Sequence, residues 1–299
     1  MKRSIPFAKL SLLEVASSRA LFGGTLLMLA VIVGTASLMW LEFRRTEAQD
    51  RKQLELLASV MESHASQVFD NTGLALDSLA KSLTTENHTP AQLDAQQSYR
   101  LQGLPFLRSI AIVSSEGLVL ASTTASDRGG KVDLQRLPPS PATDERVVIG
   151  AWVHGRTLTQ DMRNAAVPAG LGYIPMVRLV RLPSNAVVTL VAQINPDALA
   201  TYQRQLMEAG HPGTQVMLAL DNGTLLTQVG NDTLNLGSSL GTHPLFQGLL
   251  PAHKGTYGPL QTFQARSLGA WRSSNSQPLV AFVEQPYEAT TQQWLDAMR

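Results

Sequence analysis

The chain has 299 residues, a formal net charge of +1, 16% charged residues and no cysteine. The lack of cysteine excludes a thiolate zinc site, an iron–sulfur cluster, a thiol nucleophile and any disulfide. No basic block stands beyond the first residues, so no nucleic-acid partner is expected.

The first element is apolar. Ala20 to Leu41 carries no charged residue. At 1.5 Å per residue it spans roughly 30 Å, the thickness of a bilayer core. A cleaved signal peptide is the competing reading, but its apolar run would be about 7–15 residues and would end in small ones. Here the run closes on Met39-Trp40-Leu41-Glu42-Phe43, and Trp40 suits a membrane interface. An uncleaved anchor over 20–41 in a lipid bilayer is expected. Lys2, Arg3, Lys9 and Arg19 precede it against Glu14, whereas Arg44 and Arg45 follow it mixed with Glu42, Glu47 and Asp50. The positive-inside rule puts residues 1–19 in the cytoplasm and the rest of the chain outside.

A long helix is expected next, over 42–88. From Thr46 no Gly or Pro occurs before Gly73. Leu54, Leu57, Met61, Ala65, Val68, Thr72, Leu76, Leu79 and Leu83 recur at about 3.6 residues per step, the period of a straight helix packed on its own domain. Thr46 to Thr85 as one rod would be about 60 Å long. The alternative is two helices broken near Gly73.

Two modules follow, at 89–196 and 197–286. Thr89-Pro90 is a helix start, with a helix to about Leu101. Leu107–Val113 and Leu118–Ser122 read as a hairpin about Ser115-Glu116-Gly117. Ser122–Thr143 reads as loop, Arg146–His154 as a strand, and Tyr173–Val180 with Ala186–Ile194 as a second hairpin. Pro196 to Ala209 is a linking helix ended by Gly210. In the second module, Asp221-Asn222-Gly223 is a hairpin turn. Asn231–Gly258 reads as loop-rich, Thr262–Trp271 with Leu279–Val283 as the closing hairpin, and 287–299 as an exit helix.

The modules repeat each other. Ser109-Ile-Ala-Ile-Val-Ser-Ser-Glu-Gly-Leu-Val-Leu120 matches Gln215-Val-Met-Leu-Ala-Leu-Asp-Asn-Gly-Thr-Leu-Leu226, with Gly117 and Gly223 in register. Ser184-Asn185 leads through an apolar strand to Pro196, as Ser274-Asn275 leads to Pro286, and each Pro opens a helix-like segment. The second copy is shorter, and the loss falls between its hairpins.

This layout resembles the double-Cache (tandem PAS-like) extracytoplasmic sensor domains of bacterial membrane receptors. The marks are the long exit helix, Arg108 to Ser122, Ile174-Pro-Met-Val-Arg178 with its hairpin, Leu268-Gly-Ala-Trp-Arg272 with Pro278 to Val283, and Glu288-Ala-Thr-Thr-Gln-Gln-Trp294. The resemblance implies an α+β fold with an N-terminal transmembrane helix, a long stalk helix and two PAS-like modules, each with an antiparallel sheet. It implies a bacterial inner-membrane receptor with a periplasmic sensor, a small-molecule ligand in the distal module and a parallel homodimer. Such domains precede a second membrane helix and a diguanylate cyclase, histidine kinase or chemotaxis output. The chain ends at Arg299, where that second helix would begin, so either the sensor portion of a longer receptor or a chain without its output is expected.

Ligand-binding candidates in the distal module are Trp152, His154 and Arg156 with Tyr173 and Arg178. Aromatics and cations on one sheet face could hold a small, anionic ligand. The resemblance makes Arg178 the leading one. The bland alternative is that Trp152 and Tyr173 are core residues and the cations are solvated. Arg266 and Arg272 are the proximal counterparts. Gly237-Ser238-Ser239-Leu240-Gly241 fits the hydrolase string Gly-x-Ser-x-Gly, so a membrane-anchored hydrolase using Ser239 is the competing function, and a ligand-free scaffold a third. Histidines at 64, 88, 154, 211, 243 and 253 show no paired metal spacing. No cofactor, metal or catalytic output is expected.

Overall fold

The computed structural model describes residues 8–85, 103–139, 147–159, 171–208, 212–230, 234–242, 246, 252–262 and 266–298. The helix expected from Thr89 to Leu101, the stop at Gly210 and three histidines (His88, His211, His243) lie outside them.

Helix α1 (Ala8–Thr85) is continuous and carries the apolar segment. Among the described residues it is the one helix long and apolar enough to cross a membrane. Gly73 does not break it. A Cβ at Gly73 would come within 3.6 Å of Met176, so the small residue lets a strand side chain lie against the helix.

The chain divides into two compact units, 1–50 with 290–299, and 51–289. Within the first, Asp50 is buried and accepts a hydrogen bond from Thr290 Oγ1 at 2.7 Å. The rings of Phe43 and Trp294 meet edge to face at 5.4 Å.

The second unit holds both sheets. The distal sheet runs in the order β2 (Val119–Ser122), β1 (Leu107–Ser114), β6 (Val187–Ile194), β5 (Gly172–Arg181), β3 (Val147–Ile149), with β4 (Val153–His154) also paired to β5. Helix α2 (Pro196–Met207) follows, capped by the Asn195 side chain. The proximal sheet repeats the order: β8 (Leu225–Val229), β7 (Gln215–Leu220), β11 (Leu279–Pro286), β10 (Arg266–Ser273), β9 (Lys254–Gln261). Helix α3 (Tyr287–Ala297) closes the described chain. All strand pairs are antiparallel.

One face of each sheet packs on α1. Leu54, Met61, Ala65, Val68, Leu76, Leu79 and Leu83 are buried in a shared core with Ile110, Ile174 and Leu190 of one sheet and Leu218, Ala270 and Ala281 of the other. Thr72 is also buried, and Leu57 is only partly covered. The helical stripe read from sequence is therefore the spine of both modules. The outer faces hold separate apolar clusters, one around Tyr173 and one around Tyr257.

Three local expectations change. Within the stretch expected as one strand, the described residues 147–154 hold two short ones, because β5 carries Pro175 where the ladder would need an N–H; Gly150 N–H donates to the Pro175 carbonyl and the chain steps away. Strand β9 lies in the stretch read as loop, and the closing strand is 266–273 rather than 262–271. Its Gly255 and Gly258-Pro259 look like breakers, but β9 is a sheet edge, where Pro is tolerated. Lastly, Pro286 ends β11 instead of opening a helix. The repeat slips by one residue in the closing hairpin: Ile110 faces Ala192 and its counterpart Val216 faces Val283.

Candidate functional site

The two registers fix which residues correspond. Ser109 stands opposite Gln193 in the distal sheet, and Gln215 stands opposite Glu284 in the proximal one. Both pairs point to the outer face, since Val191 and Phe282, two residues back, belong to the outer clusters. Each module thus places polar side chains at the same depth under an apolar surface.

In the distal module, Ser109 Oγ donates to Gln193 Oε1. Both side chains are buried, and Gln193 is 1% exposed. The Gln193 Nε2 group is buried and finds no acceptor among the described residues. Tyr173 touches the same amide. Burial pushes its phenol up to about 12, against the pull of nearby Arg136 and of the Gln193 amide. A flap covers this face: buried Asp127 accepts from the N–H groups of Leu158 and Thr159 at 3.4 and 3.2 Å and from Thr159 Oγ1 at 2.8 Å. Arg136 donates to the His154 carbonyl at 2.8 Å.

In the proximal module a carboxylate, Glu284, is the acceptor. Glu284 receives Gln215 Nε2 at 2.6 Å, Tyr257 Oη at 2.5 Å and Thr262 Oγ1 at 3.1 Å. Burial raises its carboxyl above the ordinary range, and the three donors partly offset that. Burial and the adjacent Glu284 push the Tyr257 phenol well up.

The five residues singled out from sequence do not form one cluster. Tyr173 lies on the outer face. Trp152 and His154 lie on the other face, over Gly172, with their rings 5.8 Å apart. Trp152 lies in the break between β3 and β4, not in a strand. Arg156 is exposed after Gly155, close enough to Arg108 to lower its pKa slightly beside the larger effect of burial. Arg178 faces α1 and pairs with Asp77. In the proximal module Arg272 pairs with Glu62 at 3.5 Å, and Arg266 stacks on Tyr287 at 5.1 Å. Ser239 is not on a strand-to-helix elbow. Its backbone bridges Thr224, its Oγ accepts from Gly241 N–H at 3.2 Å, and it occupies the place that Lys131 takes opposite Leu118. Gly129 and Gly237 are likewise paired across the copies, both with positive φ, so the Gly-x-Ser-x-Gly string is part of the repeat's turn.

Sequence reading missed Ser109, Asp127, Arg136 and Gln193. One signal was available for Gln193: it is the one long polar side chain in the run Val187–Ile194, where the only other polar residue is the short Thr189.

No protein-family model matches the chain, and no curated protein does either. Solved structures do. The extracellular domain of the histidine kinase candidate rpHK1S-Z16 matches with a TM-score of 0.66 at 20% identity, over 83% of this chain and 98% of that one. The chain has the double-Cache fold. The periplasmic sensory domain of the Campylobacter jejuni chemoreceptor Tlp1 matches at TM-score 0.60 and 13% identity, over 83% and 98% of the two chains. The ligand-binding domain of Campylobacter jejuni Tlp3, in complex with L-valine, matches at 0.54 and 10%, over 84% and 98%. The double-Cache arrangement accounts for the shared sheet order and for the single helix spanning both sheets.

Proposed function

We propose that this protein is the extracytoplasmic sensory input of a membrane receptor, and that its distal module binds a small ligand bearing a carboxylate. Gln193 carries the reading. A buried amide N–H without an acceptor costs stability, about 1–3 kcal/mol, and a ligand oxygen would recover it. The phenol of Tyr173 is a second donor at the same spot, and Arg136 supplies positive charge nearby. The proximal module has a carboxylate of its own, Glu284, at the matching position and needs no ligand there. A similar fold binds L-valine in Tlp3, so amino acids are the first class to try.

On this reading residues 20–41 cross the inner membrane, 42–88 form the stalk, 89–196 sense, 197–286 transmit and 287–299 lead out. The N-terminus is cytoplasmic and the modules periplasmic. Helix α1 is packed by both sheets and is the same helix that holds the apolar segment, so movement of the distal sheet acts on a rod. A parallel homodimer would pass that movement on. No catalytic role is assigned to the chain.

The test is a thermal-shift screen of the full chain in detergent micelles against L-amino acids and the matching amines without the carboxylate. A stabilising amino acid, inactive as the amine, is expected, with the shift lost in Gln193→Leu and kept in Arg178→Ala. A shift that survives Gln193→Leu would refute the site.

A further inference from the structure

A second concave site lies between the modules. A cleft of about 420 Å³ opens between the segment before β4, helix α2, strand β8 and residues 234–236. That volume falls within the range of small-molecule sites, about 300–1,000 Å³. Its walls are half apolar, formed by the Trp152 indole, Pro196, Ala200, Leu234 and Leu236.

The charged groups at its edge are unbalanced in one direction. The Trp152 indole N–H is buried against Gly172, so the cleft meets the ring and not its N–H. Arg204 reaches the cleft from the exposed side of α2 and has no carboxylate partner among the described residues. The one acid on the wall, Asp197, is engaged: Arg108 Nη2 binds it at 2.8 Å and also holds the Asn195 side chain at 2.7 Å. Thr227 is engaged too, its hydroxyl donating to buried Gln203 at 3.2 Å. One cationic donor, Arg204, therefore faces the cleft without an acid partner among the described residues, and the acid of the cleft is neutralised.

We propose that this cleft is a second binding site, for a small organic anion of the aromatic-carboxylate class. The flat apolar body would lie against the Trp152 ring, Leu234 and Leu236, with the carboxylate taken by Arg204. The site is separate from the outer face around Gln193, because Trp152 and Tyr173 lie on opposite faces of the distal sheet. Its occupant touches the distal module, the linking helix and the proximal module at once. Binding there fixes how the two modules meet, and so modulates what the distal site can transmit.

The test uses 4-fluorobenzoate, followed by fluorine NMR, with the full chain in detergent micelles and empty micelles as blank. Saturable binding is expected, at least tenfold weaker in Arg204→Gln and in Trp152→Ala, which removes the apolar wall. Gln193→Leu should bind as the parent does, and 4-fluorobenzylamine should not bind. Equal affinity in Arg204→Gln, or equal binding of the amine, overturns the proposal. So does lost affinity in Gln193→Leu alone, which would move the anion to the distal face. No saturation by about 10 mM, a concentration well past ordinary weak binding, also overturns it.

Discussion

Arg178 and Arg272 stand at matching positions of the two sheets, and each reaches an acid on the same helix, Asp77 and Glu62. The correspondence follows from the registers: Arg178 faces Leu190 and Arg272 faces Ala281, one residue past the outer-face pairs Val177–Val191 and Trp271–Phe282. The next residue along a strand points the other way, so both arginines meet α1. Duplication has copied a clasp. The proximal copy adds Gln277 and Ser276, which donate to Asp70 at 2.6 and 3.0 Å.

Removing the clasp should cost stability and leave ligand recognition alone. Arg178 is largely covered while Asp77 is partly open, so the pair is worth more than a surface bridge and less than a buried one. Arg178→Ala should lower unfolding free energy by about 1–2 kcal/mol and Arg272→Ala by about 0.5–1 kcal/mol. The two losses should add within about 0.5 kcal/mol, since they lie at separate places along α1. Urea unfolding of the two single variants and the double variant measures this. A ligand response abolished by Arg178→Ala at unchanged stability would contradict the clasp.

Aromatic rings packed over strand glycines give the next test. A Cβ at Gly269 would stand 2.1 Å from the Tyr257 ring, and one at Gly172 would stand 2.1 Å from the Trp152 ring. The consequences differ. Tyr257 is buried and its hydroxyl is committed to Glu284, so displacing it breaks a hydrogen bond as well as packing. Gly269→Ala should cost about 3 kcal/mol or more. Trp152 is only partly buried and can swing toward the cleft, so Gly172→Ala should cost about 1–2 kcal/mol. Equal melting temperatures for the two variants would count against this ranking.

The repeat and the spine helix were legible because each rests on a period. The 3.6-residue stripe of α1 and the paired Gly117 and Gly223 turns are local patterns that survive in one sequence. Strand β9 was hidden because its Gly255, Gly258 and Pro259 are chosen by neighbours across the sheet: Trp271 packs over Gly255. The candidate site was only partly legible for a related reason. Trp152 and His154 do lie on one side, their rings 5.8 Å apart, but nothing local says which face of β5 they join. That choice is set by cross-strand register, where Val153 meets Tyr173 and His154 meets Gly172. Arg178 joins the α1 face by the same register, one residue along from Val177 on the outer face.

Ser239 offers a direct check on the hydrolase alternative. Its hydroxyl is used locally, on Gly241 N–H, and its neighbours form a turn shared with the distal copy. Ser239→Ala should leave melting temperature within about 1 °C and leave any hydrolysis of p-nitrophenyl acetate unchanged, as expected of an exposed side chain. Loss of hydrolysis in that variant would reinstate the serine as a nucleophile.

Glu284 should make the proximal module less stable as pH rises. Burial raises its carboxyl above the ordinary 4.5, with the three donors opposing. Below about 4.5 the group is protonated whether folded or not, and it carries no penalty. Between 4.5 and the raised folded value, the folded state holds the proton more tightly, so stability falls as pH rises. Above the folded value the whole cost is present. Glu284→Gln removes the charge, and its new amide N–H can still be satisfied. Gln215 Oε1 has no partner among the described residues, and a flip of that amide would turn it toward position 284. The variant should therefore gain on the parent between pH 4 and pH 8, at no more than about 1.4 kcal/mol per pH unit, the limit for one proton. Paired urea titrations cancel the other ionising groups. A parent that gains on the variant as pH rises would show that the three donors outweigh burial, and that Glu284 is held as a stabilised carboxylate.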